Sequence, residues 1–451
     1  MADVRLRYEE GTIRVEGPLP ADRDDTLAGT VEYDPRSETG RAPAFEYPAV
    51  RASLAQAGLT VDDDVFDLPV LDLDSAYRLR EYQQEALDAW RANSDRGVVE
   101  LPTGSGKTVV AVAAIAALET PTLVVVPTLD LLDQWHRELT QEFGDPVGRL
   151  GGDSQRVEDL TVSTYDSAYL RADELGDRFG LAVFDEAHHL GGEGYRDIAR
   201  LLAAPARMGL TATFERPDGA HEVVAELLGS VVYRRSAAEL AGEHLAAYDI
   251  RRIEVELTPE ERETYEQNQS VFTDYLRQSS ITLRSGSDYQ ELVKRSGTDP
   301  QAREALLAKQ RAREVMMNAE GKVDRLATLL ERHRGDRVIV FTAHTDLVYR
   351  LSERFLLPAI THETGASERR EILERFREGT YSRVVTANVL DEGVDVPDAN
   401  VAVLLSGSGS EREFTQRLGR VLRPKSDGGR ALLYELVTEE TAETRVAQRR
   451  R

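Results

Sequence analysis

The octapeptide Leu101-Pro102-Thr103-Gly104-Ser105-Gly106-Lys107-Thr108 constrains this chain more than any other segment. It follows an apolar strand-like run, Gly97–Leu101, and opens a helical pattern, which is the context a phosphate-binding loop requires. Glycines let backbone N–H groups approach phosphate oxygens, and the helix N-terminus adds a favourable dipole. Thr103, Gly104, Ser105 and Gly106 then form the cradle. Lys107 reaches the β- and γ-phosphates, and the Thr108 hydroxyl can hold Mg²⁺. A second apolar run, Leu181–Phe184, ends in Asp185 and Glu186. Carboxylates at the C-terminal end of a buried strand lie where open α/β sheets bind ligands. Asp185 suits a metal, and Glu186 suits a general base that takes a proton from an attacking water. Together the two segments point to an α/β protein that binds a nucleoside triphosphate with a divalent cation and hydrolyses it.

The strand–helix rhythm around these segments is regular. Thr122–Val126, Leu160–Ser163 and Met208–Thr211 read as further buried parallel strands, and Leu129–Phe143 reads as a helix. A second rhythm starts at Arg337–Phe341 and continues through Arg383–Thr386, Val401–Leu405 and Ala431–Leu436. Between the two lies a charged helical stretch that begins at Thr258-Pro259-Glu260-Glu261, a capped helix start. Before the first rhythm, short β-like runs at Val4–Tyr8, Thr12–Val15 and Thr30–Tyr33 suggest a small α+β module with an acidic patch at Asp62, Asp63 and Asp64. The expected partition is a module at 1–75, a first lobe at 76–238, a linker and helical insert at 239–320, and a second lobe at 321–451.

The 451 residues carry a net charge of −24 and no cysteine, which excludes a disulfide framework and a thiolate metal site. Only five of the 56 basic residues are lysines. A strongly acidic, lysine-poor surface suits a salt-rich, halophilic cytoplasm, where self-repulsion is screened over about 3 Å near 1 M salt. No apolar run is long enough to span a bilayer, so a cytoplasmic protein without a membrane partner is expected. His188 and His189 stand without further ligands at metal spacing, which argues against zinc.

Beyond the two phosphate-site segments, a set of motifs stands in fixed order. Asp185-Glu186-Ala187-His188 resembles the DEAH-type box of superfamily-two helicases. Leu79-Arg80-Glu81-Tyr82-Gln83 resembles the segment that reads adenine, through Arg80 and Gln83. Val126-Pro127-Thr128 with Gln134-Trp135, and Thr164-Tyr165-Asp166-Ser167, resemble the motifs that touch the nucleic-acid backbone. Thr211-Ala212-Thr213 resembles the motif that couples hydrolysis to motion. In the second lobe, Thr386 through Gly393 and Asp395 resemble motif V, and Gln416 through Arg423 resemble motif VI. The module, the insert and the length make the chain most similar to the archaeal XPB group. That group carries Arg-Glu-Asp after the coupling motif, whereas this chain reads Arg216-Pro217-Asp218.

The resemblance implies two RecA-like parallel-sheet lobes, a damage-recognition-like N-terminal module and a thumb-like helical insert. It implies ATP with Mg²⁺, held by lobe one and met from lobe two by Gln416, Arg420 and Arg423 acting on the γ-phosphate, with Gly393 and Asp395 sensing nucleotide state. Thr128, Thr164 and Thr386 are the implied nucleic-acid contacts, gripping phosphates through hydroxyl and backbone groups rather than net charge. His188, Thr211, Thr213, Arg216 and Asp218 are the implied coupling set. Insert arginines, among them Arg277, Arg284, Arg303, Arg311 and Arg313, add possible contacts. The expected activity is ATP-driven movement on duplex or forked DNA, in repair or transcription, by a monomer that works beside a nuclease. Alternative readings are an ATPase switch that scaffolds such a partner, and an RNA helicase.

Overall fold

A computed structural model describes residues 3–17, 31–144, 146–192, 194–215, 219–240, 248–279, 281, 286–387, 399–406 and 431–441. The chain forms two compact units, one within residues 1–245 and one beginning at 246.

The first unit opens with a small sheet. Strands β1 (Val4–Glu9), β2 (Thr12–Glu16), β3 (Glu32–Asp34), β4 (Thr39–Pro43) and β5 (Val61–Asp64) assemble in the order β3-β4-β2-β1-β5. Alternation of buried Val4, Leu6, Ile13 and Val15 with polar neighbours turns one face onto helix α1 (Tyr47–Gln56), through Tyr47, Val50 and Leu54. The acidic patch is neutralised locally. Asp64 pairs with Arg5, Asp62 lies 3.5 Å from Arg5, and Asp63 lies 3.1 Å from Arg51 while accepting the Tyr47 hydroxyl at 2.7 Å. This sheet is seated on the lobe that follows. The Tyr8 hydroxyl meets the carbonyls of Leu201 at 3.0 Å and Asp173 at 3.2 Å, and Phe45 packs into that lobe's core. Burial, with Asp177 and Asp173 adding to it, pushes the Tyr8 phenol up to about 12.

The lobe itself is an eight-stranded sheet flanked by helices. In chain order its elements are α2 (Glu81–Ala92), β6 (Arg96–Glu100), α3 (Lys107–Leu118), β7 (Thr122–Val126), α4 (Leu129–Phe143), β8 (Val147–Gly151), β9 (Ser154–Arg156) and β10 (Leu160–Thr164). There follow α5 (Tyr165–Leu170), β11 (Leu181–Asp185), α6 (Arg196–Leu201), β12 (Ala206–Thr211), α7 (Ala220–Leu228) and β13 (Val231–Arg234). The strand order is β13-β6-β12-β11-β7-β10-β8-β9, parallel except for the terminal β8–β9 hairpin. Each central strand is apolar on both faces because helices cover both. Val124 and Val126 enter one core with Trp90, Ala111 and Trp135; Leu123 and Val125 enter the other with Ile198 and Leu227.

Arg207 crosses that second core. Its side chain is fully buried and donates to the carbonyls of Ala199, Leu202, Ala204 and Leu227. These oxygens belong to the C-terminal turns of α6 and α7 and the segment after α6, where unpaired carbonyls and the negative ends of the helix dipoles favour a cation. Burial, with Arg96 nearby, lowers its pKa well below the usual guanidinium range.

The second unit carries a six-stranded, all-parallel sheet. Its strands are β14 (Tyr248–Val255), β15 (Val338–Phe341), β16 (Ala359–Ile360), β17 (Arg383–Thr386), β18 (Val401–Leu404) and β19 (Ala431–Thr438), in the order β14-β19-β18-β15-β17-β16. Strand β14 lies in a stretch read from sequence as linker. Its charges are interleaved with apolar residues, and Arg252 on it holds Glu435 of β19 at 2.9 Å. Helices α8 (Pro259–Ser279), α9 (Gly286–Arg295) and α10 (Pro300–Met317) form the insert. Thr258 and Glu261 cap α8 reciprocally, each side chain accepting the other's backbone N–H, at 3.2 and 2.9 Å. The Lys309 ammonium sits 4.3 Å from the Tyr289 ring and 5.1 Å from that of Phe272. Arg277 and Arg311 form ion pairs with Asp274 and Glu304, and Arg284 lies outside the described residues. Helix α11 (Glu320–Arg332) brings in Lys322, fully buried, whose ammonium donates to the Leu405 carbonyl at 2.7 Å. Helices α12 (Thr345–Phe355) and α13 (Ala366–Arg377) are the last of the unit's helices among the described residues. Among the described residues no helix is long and apolar enough to cross a membrane.

Candidate active site

The phosphate loop joins β6 to α3 at the C-terminal end of the first lobe's sheet. Gly104 and Gly106 both hold positive φ, +80° and +83°. At Gly106 a Cβ would stand 2.5 Å from the Gln83 amide nitrogen, so neither the backbone angle nor the space admits a side chain. Lys107 begins α3, is nearly buried, and donates to the Leu101 carbonyl at 3.1 Å. The hydroxyl oxygens of Thr103 and Ser105 are buried without a hydrogen-bond partner among the described residues. Orphaned buried hydroxyls are costly unless something polar completes them, and phosphate oxygens beside a helix N-terminus are suited to do so.

The loop is braced from α2. The Tyr82 hydroxyl donates to the Ser105 carbonyl, and the Gln83 amide donates to the same carbonyl at 2.9 Å and to that of Gly106 at 3.3 Å. The other end of the Gln83 amide accepts the Arg80 backbone N–H at 2.9 Å, while the Arg80 guanidinium donates to the Tyr82 hydroxyl at 3.2 Å. Arg80 and Gln83, expected from the sequence to read adenine, thus stand in one network with the phosphate loop.

Asp185 ends β11 and is nearly buried, as is Glu186. One Asp185 carboxylate oxygen accepts the Trp135 indole N–H at 2.8 Å and the other accepts the Glu186 backbone N–H at 2.9 Å. Burial, and then the neighbouring Glu186 carboxylate, raise the Asp185 pKa; Lys107 and the indole N–H pull the other way. Glu186 adopts the left-handed region at φ 47°, the turn that swings its side chain out of strand register. Two adjacent carboxylates in a dry place, with the Thr108 hydroxyl nearby in sequence to Lys107, make a hard-oxygen set that fits Mg²⁺. Among the described residues no group of three or more histidine, cysteine, aspartate or glutamate side chains is gathered as for a protein-only metal site.

His188 Nδ1 stands 3.3 Å from the Thr211 hydroxyl, at the end of the neighbouring strand β12, and 3.6 Å from a Glu186 carboxylate oxygen. Thr211 closes a tight turn with Thr213, donating to its carbonyl at 2.9 Å and accepting its N–H at 3.2 Å. Arg216 and Asp218, the remaining members of that expected set, lie outside the described residues, as do Gly393, Asp395, Gln416, Arg420 and Arg423.

The expected nucleic-acid threonines differ in what they offer. Thr128 caps α4, accepting the Leu131 N–H at 3.3 Å, which leaves its hydroxyl proton for a phosphate oxygen. Thr164 caps α5 through the Ser167 N–H at 3.2 Å and gives its proton to the Ser167 hydroxyl at 3.0 Å. The two caps lie at one edge, because Gly151 of the β8–β9 hairpin packs against both Leu132 of α4 and Thr164. In the second unit the Thr386 hydroxyl is fully buried and donates to the Ala387 carbonyl at 2.7 Å. Sequence reasoning missed the hairpin and Tyr82; the tyrosine's signal was its place beside Gln83.

A phosphate loop and an acidic strand end on a parallel sheet, with a second parallel-sheet unit, define a nucleotide-hydrolysing helicase fold. Three family models match: the type III restriction enzyme res subunit over residues 76–216, the ERCC3/RAD25/XPB C-terminal helicase over 302–451, and the xeroderma pigmentosum group B helicase damage recognition domain over 6–65. The DNA 3'-5' translocase XPB2 of Sulfurisphaera tokodaii is 42% identical over 99% of this chain and 100% of its own length. A putative DNA 3'-5' helicase Rad25 of Halobacterium salinarum is 31% identical over 97% of this chain and 68% of its own. The chain belongs to the XPB family of helicases. The Hef helicase domain of Pyrococcus furiosus shares the fold at a TM-score of 0.54 and 19% identity, covering 82% of this chain and 98% of that one.

Proposed function

We propose that this protein is an ATP-dependent DNA translocase and helicase. The observation that carries the reading is the convergence of Lys107, Asp185 and Glu186 at the C-terminal end of one parallel sheet in a chain that matches an XPB2 translocase from end to end. Lys107 and the loop N–H groups bind the triphosphate. Thr108 and Asp185 would hold Mg²⁺, which supplies charge neutralisation on the phosphate oxygens. Glu186 takes the proton of the attacking water, and its turn-imposed orientation aims it away from the strand. Thr128 and the first turn of α4, with Thr164, bind the nucleic-acid backbone, and His188 with Thr211 links the two events.

The same reading assigns Gln416, Arg420 and Arg423 to the γ-phosphate and Gly393 and Asp395 to nucleotide sensing, on the spelling of their motifs; the buried Thr386 hydroxyl, committed to the Ala387 carbonyl, drops out of the backbone contacts. It also retains the partition at 1–75, 76–238, 239–320 and 321–451, except that β14 passes from the linker to the second lobe's sheet, together with a monomer beside a partner nuclease and a salt-rich cytoplasm, the last supported by the net charge of −24. ATP hydrolysis measured in molar KCl with duplex DNA, single-stranded DNA and RNA, with Lys107→Ala as blank, tests the reading. Duplex DNA is expected to stimulate most; stimulation by RNA alone, or none by DNA, overturns it.

A further inference from the structure

Trp135 stands in a segment whose resemblance is to a backbone-contacting motif, yet its side chain is 1% exposed. The indole is turned inward from α4, and its N–H lies on Asp185, 50 residues away in sequence. Helix α4 begins at its Thr128 cap, on the edge shared with Thr164 and Gly151. Trp135 follows Thr128 by seven residues, two turns, so it shares that side of the helix about 10 Å further along the axis. Leu132, Trp135 and Leu139 are the buried face of α4, so the helix bears on the core as one body and reaches the nucleotide residues through the Trp135 indole N–H.

The Asp185 carboxylate is held at both oxygens, by the indole N–H and by the Glu186 N–H. The second of these comes from the adjoining peptide and is present whatever α4 does. The first depends on where α4 sits. An N–H donor to one oxygen fixes the carboxylate's rotation and directs its remaining lone pairs, which is how outer partners tune a metal ligand. We propose that Trp135 is a positioning residue for the metal-holding carboxylate, and that nucleic acid on the first turn of α4 is registered at Asp185 through this bond. The proposal rests on the functional reading above and adds the route by which DNA reaches the hydrolytic residues.

Trp135→Phe in the full chain removes the N–H and keeps an aromatic ring in the core. Mn²⁺ titration followed by electron paramagnetic resonance, with ATP present, should show metal affinity lowered about 10- to 100-fold. The stimulation of hydrolysis by duplex DNA should fall with it. Leu139→Ala, on the same buried face, removes packing without removing a donor and should leave Mn²⁺ affinity at the wild-type value. Equal loss in both variants, or wild-type Mn²⁺ affinity in Trp135→Phe, overturns the proposal. The chain has two tryptophans, so Trp90→Phe leaves Trp135 as sole indole. Its emission should shift when duplex DNA is added without nucleotide, and constant emission overturns the DNA half. Wild-type protein that DNA does not stimulate overturns the functional reading and that half together, while the Mn²⁺ result decides the carboxylate half by itself.

Discussion

His188 Nδ1 lies 3.3 Å from the Thr211 hydroxyl, so the residues after β11 and the end of β12 share a polar contact. Thr211 gives its proton to Thr213, which makes the imidazole N–H the donor. The contact joins the turn that carries Glu186 to the strand end that leads out toward residues 216–218. Thr211→Val keeps the shape and removes the acceptor. Duplex opening per ATP should fall by about 5- to 150-fold, the usual span of a coupling energy, while hydrolysis itself persists. Phosphate release and fork opening followed in the same samples check this; a parallel fall in both would place Thr211 in hydrolysis instead.

Glu186→Gln should bind ATP with near-wild-type affinity and turn it over about 10²- to 10⁴-fold more slowly. Nucleotide binding by fluorescence and single-turnover phosphate release separate the two effects. Near-normal turnover removes Glu186 from the role of base.

Arg207→Met leaves four buried carbonyls without their guanidinium donor. The cost expected is about 3–5 kcal/mol, as for other broken buried charge contacts. Arg207→Lys should recover only part of it, since an ammonium has three donors in place of five and no planar fork. Calorimetric melting of both variants is the measurement, and a lysine variant as stable as wild type contradicts the argument.

Tyr8→Phe removes the hydroxyl that meets Leu201 and Asp173 and should weaken seating of the N-terminal sheet by about 1 kcal/mol. The folded phenol titrates near 12, above the ordinary value of 10. A group that binds its proton more tightly when folded stabilises fully below its unfolded pKa and loses that contribution as pH rises through the folded one. Protection of β1 and β2 amides should therefore hold to about pH 10 and decline from there toward 12 in wild type. Hydrogen exchange against pH, in wild type and Tyr8→Phe, reads this directly. Identical profiles would remove Tyr8 as the anchor.

With 80 acidic residues against 56 basic ones, raising KCl from 0.1 M to 3 M should raise the melting temperature, as the Debye length falls from about 10 Å to below about 3 Å. A flat or falling curve speaks against adaptation to salt.

What was legible in the sequence was what chemistry places in consecutive residues. Thr122–Val126 and Arg383–Thr386 are strands over the full length expected, since strands covered on both faces are continuous apolar runs. The loop at 101–108 and the Asp185-Glu186 pair were equally plain. Strand β14 was not, because Arg251, Arg252 and Glu254 break its apolar pattern and only its pairing with β19 makes it a strand. The Trp135–Asp185 bond, the Arg207 cluster and the Tyr8 anchor join residues 3 to 193 positions apart, and no local pattern announces them. For Thr386 the motif was readable, and the inward turn of its hydroxyl was not.

The lysines have a practical consequence. Of five, Lys107 and Lys322 are buried and Lys309 is half-buried against two rings, while Lys425 lies outside the described residues. Lys294, on α9, is an exposed amine. Amine-directed dyes therefore meet very few side chains on this protein, and with no cysteine any introduced thiol is unique. One introduced cysteine therefore gives a site-specific label for watching one molecule at a time, with no native thiol to remove first.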